Sequence, residues 1–170
     1  MSKRRSSGKG IAIVALALVI GTIGFLLYSM VILEPESTIR GTWYDSNETR
    51  YNTNPTLTLI TIPDLSITFE KQPGESVYIL FSSRAGVWED GGWEYIEVYL
   101  AIDGNRINEA NNKFLLYTSS GGSANIVPMT LQYTANELSN GVHEVTVIIY
   151  GSHSSNYVDS NTLLVQTYAG

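Results

Sequence analysis

The sequence predicts an all-β outer domain of two packed antiparallel sheets, carried behind one N-terminal transmembrane helix. Three observations lead there. Residues Ile11 to Leu33 run for 23 positions without a charge. Beyond about residue 56, short apolar or alternating runs recur between turn signals, the pattern of a sandwich. Helical periodicity is nearly excluded after the first run, since only Ala135 to Leu138 offers material for a single turn.

Lys3, Arg4, Arg5 and Lys9 crowd into residues 1–10, directly before the uncharged run. As a helix that run reaches about 34 Å at about 1.5 Å per residue, enough to cross a hydrocarbon core of roughly 30 Å. Lys and Arg are retained on the cytoplasmic side, so 1–10 reads as a cytoplasmic segment, 11–33 as the membrane span, and the remainder as extracellular. A cleaved signal peptide has a shorter apolar core ending in small residues. This run leaves through Tyr28-Ser29-Met30-Val31-Ile32-Leu33-Glu34, so an uncleaved anchor is expected.

Residues 34–55 are polar, with Pro35, Gly41, Asp45, Asn47, Asn52 and Asn54, and read as a stalk. The β-sandwich domain is expected over 56–170, with eight strands: Leu57 to Ile62, Leu65 to Glu70, Val77 to Ser82, Trp93 to Ile102, Lys113 to Tyr117, Ile126 to Thr134, Val142 to Tyr150 and Thr162 to Tyr168. Pro63-Asp64 separates the first two, because proline donates no ladder hydrogen bond and Asp tolerates turn geometry. Pro73-Gly74, Asp103-Gly104 and Asn140-Gly141 mark further turns; Asp-Gly is among the strongest hairpin signals. Ile96, Val98, Leu100 and Ile102 fall on one face of their strand and Glu97 on the other, so one side is dry. Val77 to Phe81 lacks polar alternation and reads as a central strand covered on both faces, or covered on the second face by another subunit. The stretches Thr118 to Asn125 and Ser152 to Asn156 read as exposed loops.

Six basic against sixteen acidic residues leave the outer part near −10, with the cations scattered singly. Such a surface repels phosphate backbones, and nucleic-acid binding is excluded. Cysteine is absent, so neither a disulfide nor a thiolate metal site is available and the core alone must hold the fold.

Catalysis needs convergent groups, and the chain offers two histidines, His143 and His153, with no strained Gly-x-Ser-x-Gly elbow. A structural role is preferred for both. No catalytic residue, cofactor or metal ligand is assigned, and no enzyme activity is expected. The most unusual cluster is Val87-Trp88-Glu89-Asp90-Gly91-Gly92-Trp93-Glu94. Trp88 and Trp93 are candidate ligand contacts through ring stacking, with Glu89 and Asp90 beside them; a calcium loop usually has more spaced oxygen ligands. The preferred reading makes Trp93 the start of the core strand, Gly91-Gly92 a turn and the acids solvated. Asn47-Glu48-Thr49 is an N-glycosylation sequon, with Asn47 as the candidate acceptor.

Five segments in order carry a resemblance: Thr61-Ile62-Pro63-Asp64-Leu65-Ser66-Ile67-Thr68-Phe69, Val77-Tyr78-Ile79-Leu80-Phe81-Ser82, Leu100-Ala101-Ile102-Asp103-Gly104, Leu138 to Val147 with its Gly141-Val142-His143-Glu144-Val145, and Asn161-Thr162-Leu163-Leu164-Val165. The chain from about Thr56 to Tyr168 resembles prokaryotic members of the C1q and tumour-necrosis-factor-like jelly-roll superfamily. The usual glycine of the first motif is Asp64 here, and the closing strand lacks the aromatic richness of animal C1q domains. The N-terminal part is similar to the anchor of archaeal surface proteins. The resemblance implies a C1q/TNF-like jelly-roll β-sandwich that forms a homotrimer and recognises proteins or glycans. The expected function is therefore a membrane-anchored cell-surface recognition or adhesion protein. The alternative is an archaeal type IV pilin-like filament subunit cleaved after Gly10, whose mature chain would begin at Ile11.

Overall fold

A computed structural model of the chain describes residues 38–54, 56, 58–88, 92–107, 113–118 and 124–169, all within one compact unit. The expected cytoplasmic segment and transmembrane helix lie outside the described residues. Among the described residues there is no helix, and therefore none long and apolar enough to cross a membrane.

Ten strands follow one another: β1 (Thr38–Asn47), β2 (Tyr51–Asn52), β3 (Ile60–Lys71), β4 (Glu75–Val87), β5 (Glu94–Ile102), β6 (Asn105–Arg106), β7 (Lys113–Thr118), β8 (Asn125–Ala135), β9 (Gly141–Gly151) and β10 (Tyr157–Ala169). The first sheet has the order β1-β10-β4-β8, with short β2 also paired to β10. The second has the order β3-β9-β5, with β6 and β7 pairing successive parts of β5. Every pairing is antiparallel. The connections between successive long strands cross from one sheet to the other, as in a jelly roll.

Alternation fills the space between the sheets. From the first sheet Val77, Ile79 and Phe81 of β4 and Leu163 and Val165 of β10 point inward; from the second come Ile67 and Phe69 of β3, Ile96, Val98 and Leu100 of β5, and Val145, Val147 and Ile149 of β9. The expected dry face of β5 is present, and β4 lies inside its sheet as its apolar run predicts, but only one of its faces is covered in this chain: Tyr78 and Leu80 on the outer side are half-buried. Asp103 and Gly104 take φ of 52° and 74°, which a type I′ hairpin turn requires of both central residues, and they join β5 to β6.

Two expectations are corrected. The segment read as a stalk over 34–55 contributes β1 and β2 to the first sheet, with Asn47 at the end of β1. β1 is an edge strand whose inward positions are only half-buried, so it needs few apolar residues; Trp43, packed 5.8 Å from Phe69, is its main core contact. The first two expected strands are a single strand, β3, interrupted but not ended by Pro63-Asp64. The ladder to β9 shifts register between Thr61 and Ser66, where Asp64 takes φ of 56°. Asp tolerates that left-handed backbone better than most residues.

One charge cluster fastens β2 to the sheet. Arg84 on β4 meets Asp159 through Nε at 2.7 Å and Nη2 at 2.8 Å, and Arg50 adds Nη2 at 3.1 Å while stacking 3.7 Å above the Tyr157 ring. Hydrogen bonds from Arg84, then from Arg50, hold the Asp159 carboxyl below its usual range against the opposing effect of burial. A depressed carboxyl contributes stability above its unfolded value of about 3.9 and loses it as pH falls through the folded value. Asp159→Asn is therefore expected to lower the urea midpoint at pH 7 and to leave a smaller difference from the wild type at pH 2.

Candidate functional site: an aromatic face on the second sheet

The face of β5 opposite the core carries Tyr95, Glu97 and Tyr99, and register fixes their neighbours. Tyr95 lies opposite Tyr117, Glu97 between Leu115 and Tyr150, and Tyr99 between Lys113 and Ile148. Side chains with the same parity on three adjacent strands thus share one outer surface. Tyr99, Ala101 and Ile148 are buried there, with Tyr150 packed against them. The rings of Tyr95 and Tyr150 are 5.9 Å apart, and the Arg106 guanidinium sits 4.5 Å over the Tyr99 ring.

Glu97 is the polar centre of this surface. Its carboxylate accepts a hydrogen bond from the Tyr99 hydroxyl and another from Lys113 Nζ at 2.9 Å. Burial acts to raise the Glu97 carboxyl, but the bonds from Tyr99 and Lys113 outweigh it and hold it below its ordinary value. Burial first, and then the bond to Glu97, raise the Tyr99 phenol. A hydrogen bond with Tyr150, followed by burial, pushes Tyr95 up to about 12. All three groups keep one protonation state around neutrality, so the face presents fixed donors and acceptors.

At one end the surface opens. Trp93, immediately before β5, is 73% exposed and Tyr117 is 59% exposed, with their rings 6.1 Å apart and tilted by 36°. Glu94 accepts a hydrogen bond from Ser152, whose Oγ also accepts the Tyr95 N–H at 2.8 Å. An indole and a phenol held open in this way offer ring faces for stacking.

Of the sequence candidates, Trp93 is therefore part of an aromatic surface rather than a core residue opening its strand. Trp88 directly follows β4 at 53% exposure, its backbone N–H donating to Asn156 Oδ1 at 2.9 Å. Glu89 and Asp90 lie outside the described residues. Asn47 is half-buried, its amide donates to the Tyr51 hydroxyl at 2.6 Å, and its Oδ1 accepts the Thr49 N–H at 2.7 Å. The sequon is thus folded into the domain. The segment 152–156 is corrected in part: Asn156 is fully buried and ties Trp88 to the Tyr95 carbonyl, which its Nδ2 reaches at 2.9 Å. Sequence reasoning did not single out Tyr95, Tyr99, Tyr117, Tyr150 or Lys113; their signal was the alternation in Tyr95-x-Glu97-x-Tyr99 and Lys113-x-Leu115-x-Tyr117.

No protein-family model matches the chain, and no curated protein matches it. Among solved structures it is similar to a chain of the infectious bursal disease virus T13 viral particle, at 15% identity and a TM-score of 0.42 over 79% of this chain and 34% of that one. It is also similar to the C-terminal domain of EclA, a sugar-binding protein, at 16% identity and a TM-score of 0.36 over 78% of this chain and 84% of that one. Dimeric latent PorU from Porphyromonas gingivalis is matched at 14% identity and a TM-score of 0.40, over 79% of this chain and 13% of that one. The chain thus spans about a third of the viral-particle chain it matches.

Proposed function

We propose that this chain is a single-pass cell-surface protein, held in the membrane by residues 11–33, that displays a C1q-like jelly roll as a homotrimeric recognition or adhesion domain. The uncharged run with its basic flank supports the anchor. The motif order from Thr61 to Val165, together with the jelly-roll strand order, supports the C1q-like reading, and the trimer rests on that resemblance. No residue is given a catalytic role.

The exposed Trp93–Tyr117 pair carries the recognition half of the proposal. Ring faces of this kind stack on the C–H faces of sugars. Glycans are the preferred ligand class. Trp93→Ala and Tyr117→Ala are each expected to weaken binding to an array of immobilised glycans at least about tenfold, the scale of a lost aromatic anchor. Light scattering of the same variants separates the roles of the face. Intact trimers with lost binding support the reading, loss of the trimer makes the face a subunit contact, and unchanged binding and assembly remove it from the site. A mature N-terminus at Ile11 by mass spectrometry would favour the filament subunit instead.

A further inference from the structure

Two sequence motifs that the aromatic face does not use meet at a different place in the fold. Asp103, in the β5–β6 turn, donates its N–H to the Glu144 carbonyl at 2.9 Å and accepts the Glu144 N–H on Oδ1 at 2.9 Å. Its Oδ2 lies 2.7 Å from Nδ1 of His143 on β9. The other ring nitrogen, Nε2, lies 2.9 Å from the carbonyl oxygen of Ser139, in the segment between β8 and β9. The ring is 6% exposed and packs 5.8 Å from Phe69 of β3.

A neutral imidazole has one N–H and one lone pair. The Ser139 carbonyl has no proton to give. The hydrogen bond from His143, then that from the Glu144 N–H, hold the Asp103 carboxyl below its ordinary value, so it too is an acceptor around neutrality. With acceptors at both nitrogens, only a ring carrying two protons satisfies both bonds. A neutral ring would leave a buried lone pair facing an oxygen.

We propose that His143, Asp103 and the Ser139 carbonyl form a proton-operated clasp that fastens the β5–β6 turn to the β8–β9 connection and loosens when the imidazole gives up its second proton. The surrounding charges are few. Asp103 faces the ring from the turn. Lys71 lies on the same face of β3 as Phe69, with its ammonium 3.3 Å from Asn140 Oδ1. Glu144, next along β9, and Glu137 of the β8–β9 connection are exposed, and β1 contributes uncharged Trp43 behind Phe69. The clasp therefore fails on the acid side when Asp103 is protonated and on the alkaline side when the ring becomes neutral.

The test is ring-nitrogen NMR of His143 with amide exchange in the full-length chain between pH 5 and 9, comparing wild type with Asp103→Asn. Asparagine retains an acceptor for the Glu144 N–H and gains a donor for Nδ1, so it satisfies a neutral ring. In the wild type the closed clasp should show two protonated nitrogens, and the Glu144 amide should lose protection about tenfold as the second proton leaves, while the Phe81 amide keeps its own. In Asp103→Asn the Glu144 protection should persist across the range with a singly protonated ring. A wild-type ring with one proton and full Glu144 protection throughout, or the same pH dependence in both proteins, would overturn the proposal.

Discussion

Replacing Phe81 with alanine is expected to lower the free energy of unfolding by about 3–5 kcal/mol, read from the urea midpoint. The ring is fully buried, at the middle of the central strand of the first sheet, in register with Leu163 on one side and Leu131 on the other. Neighbours fixed by two hydrogen-bond ladders have little freedom to collapse into the space left behind, so the cavity adds to the lost transfer energy. Leu80→Ala is the matched control. That side chain is half-exposed on the outer face of the same strand and should cost about 1 kcal/mol. Equal losses at the two positions would reverse the assignment of faces on β4.

Asn156→Ala is expected to cost about 1–3 kcal/mol, because the Trp88 N–H loses its side-chain partner inside the protein and the Tyr95 carbonyl is left with its bonds from Ser152 alone. The main chain of Asn156 is itself tied down, donating to the His153 carbonyl at 3.0 Å and accepting from the Thr53 N–H at 2.8 Å, so it has little freedom to move aside. Asn156→Asp sharpens the test. Around neutrality it keeps an acceptor for Trp88 but sets a carboxylate against the Tyr95 carbonyl, and protonation in acid restores a donor. Part of its deficit should therefore be recovered as pH falls, whereas that of Asn156→Ala should not.

The interior was readable because alternation is a local signal. Tyr95 to Ile102 shows its dry side in the residues themselves, and Asp103-Gly104 announces a turn whose backbone glycine and aspartate can both adopt. The aromatic face was not readable in the same way. Trp93 and Tyr117 are far apart in sequence, and only the ladder between β5 and β7 brings them together. β1 escaped notice because an edge strand with half-covered inward positions does not need the apolar rhythm that marks a central one. Asn156 was hidden for another reason: a Ser/Asn/Gly stretch looks like a solvated loop by composition, and composition does not reveal which asparagine satisfies the backbone of two distant strands. Asp64 stands between these cases. Pro63-Asp64 announces a break there, but the continuation of β3 through it depends on pairing with β9.

The pairing of Thr38 with Ala169 places the first and last residues of the sandwich side by side. Tension applied between those ends opens the β1–β10 ladder like a zipper, one rung at a time, rather than shearing all its bonds together. Because yielding would begin in that outermost strand, the rest of the head keeps its shape while the seam gives way.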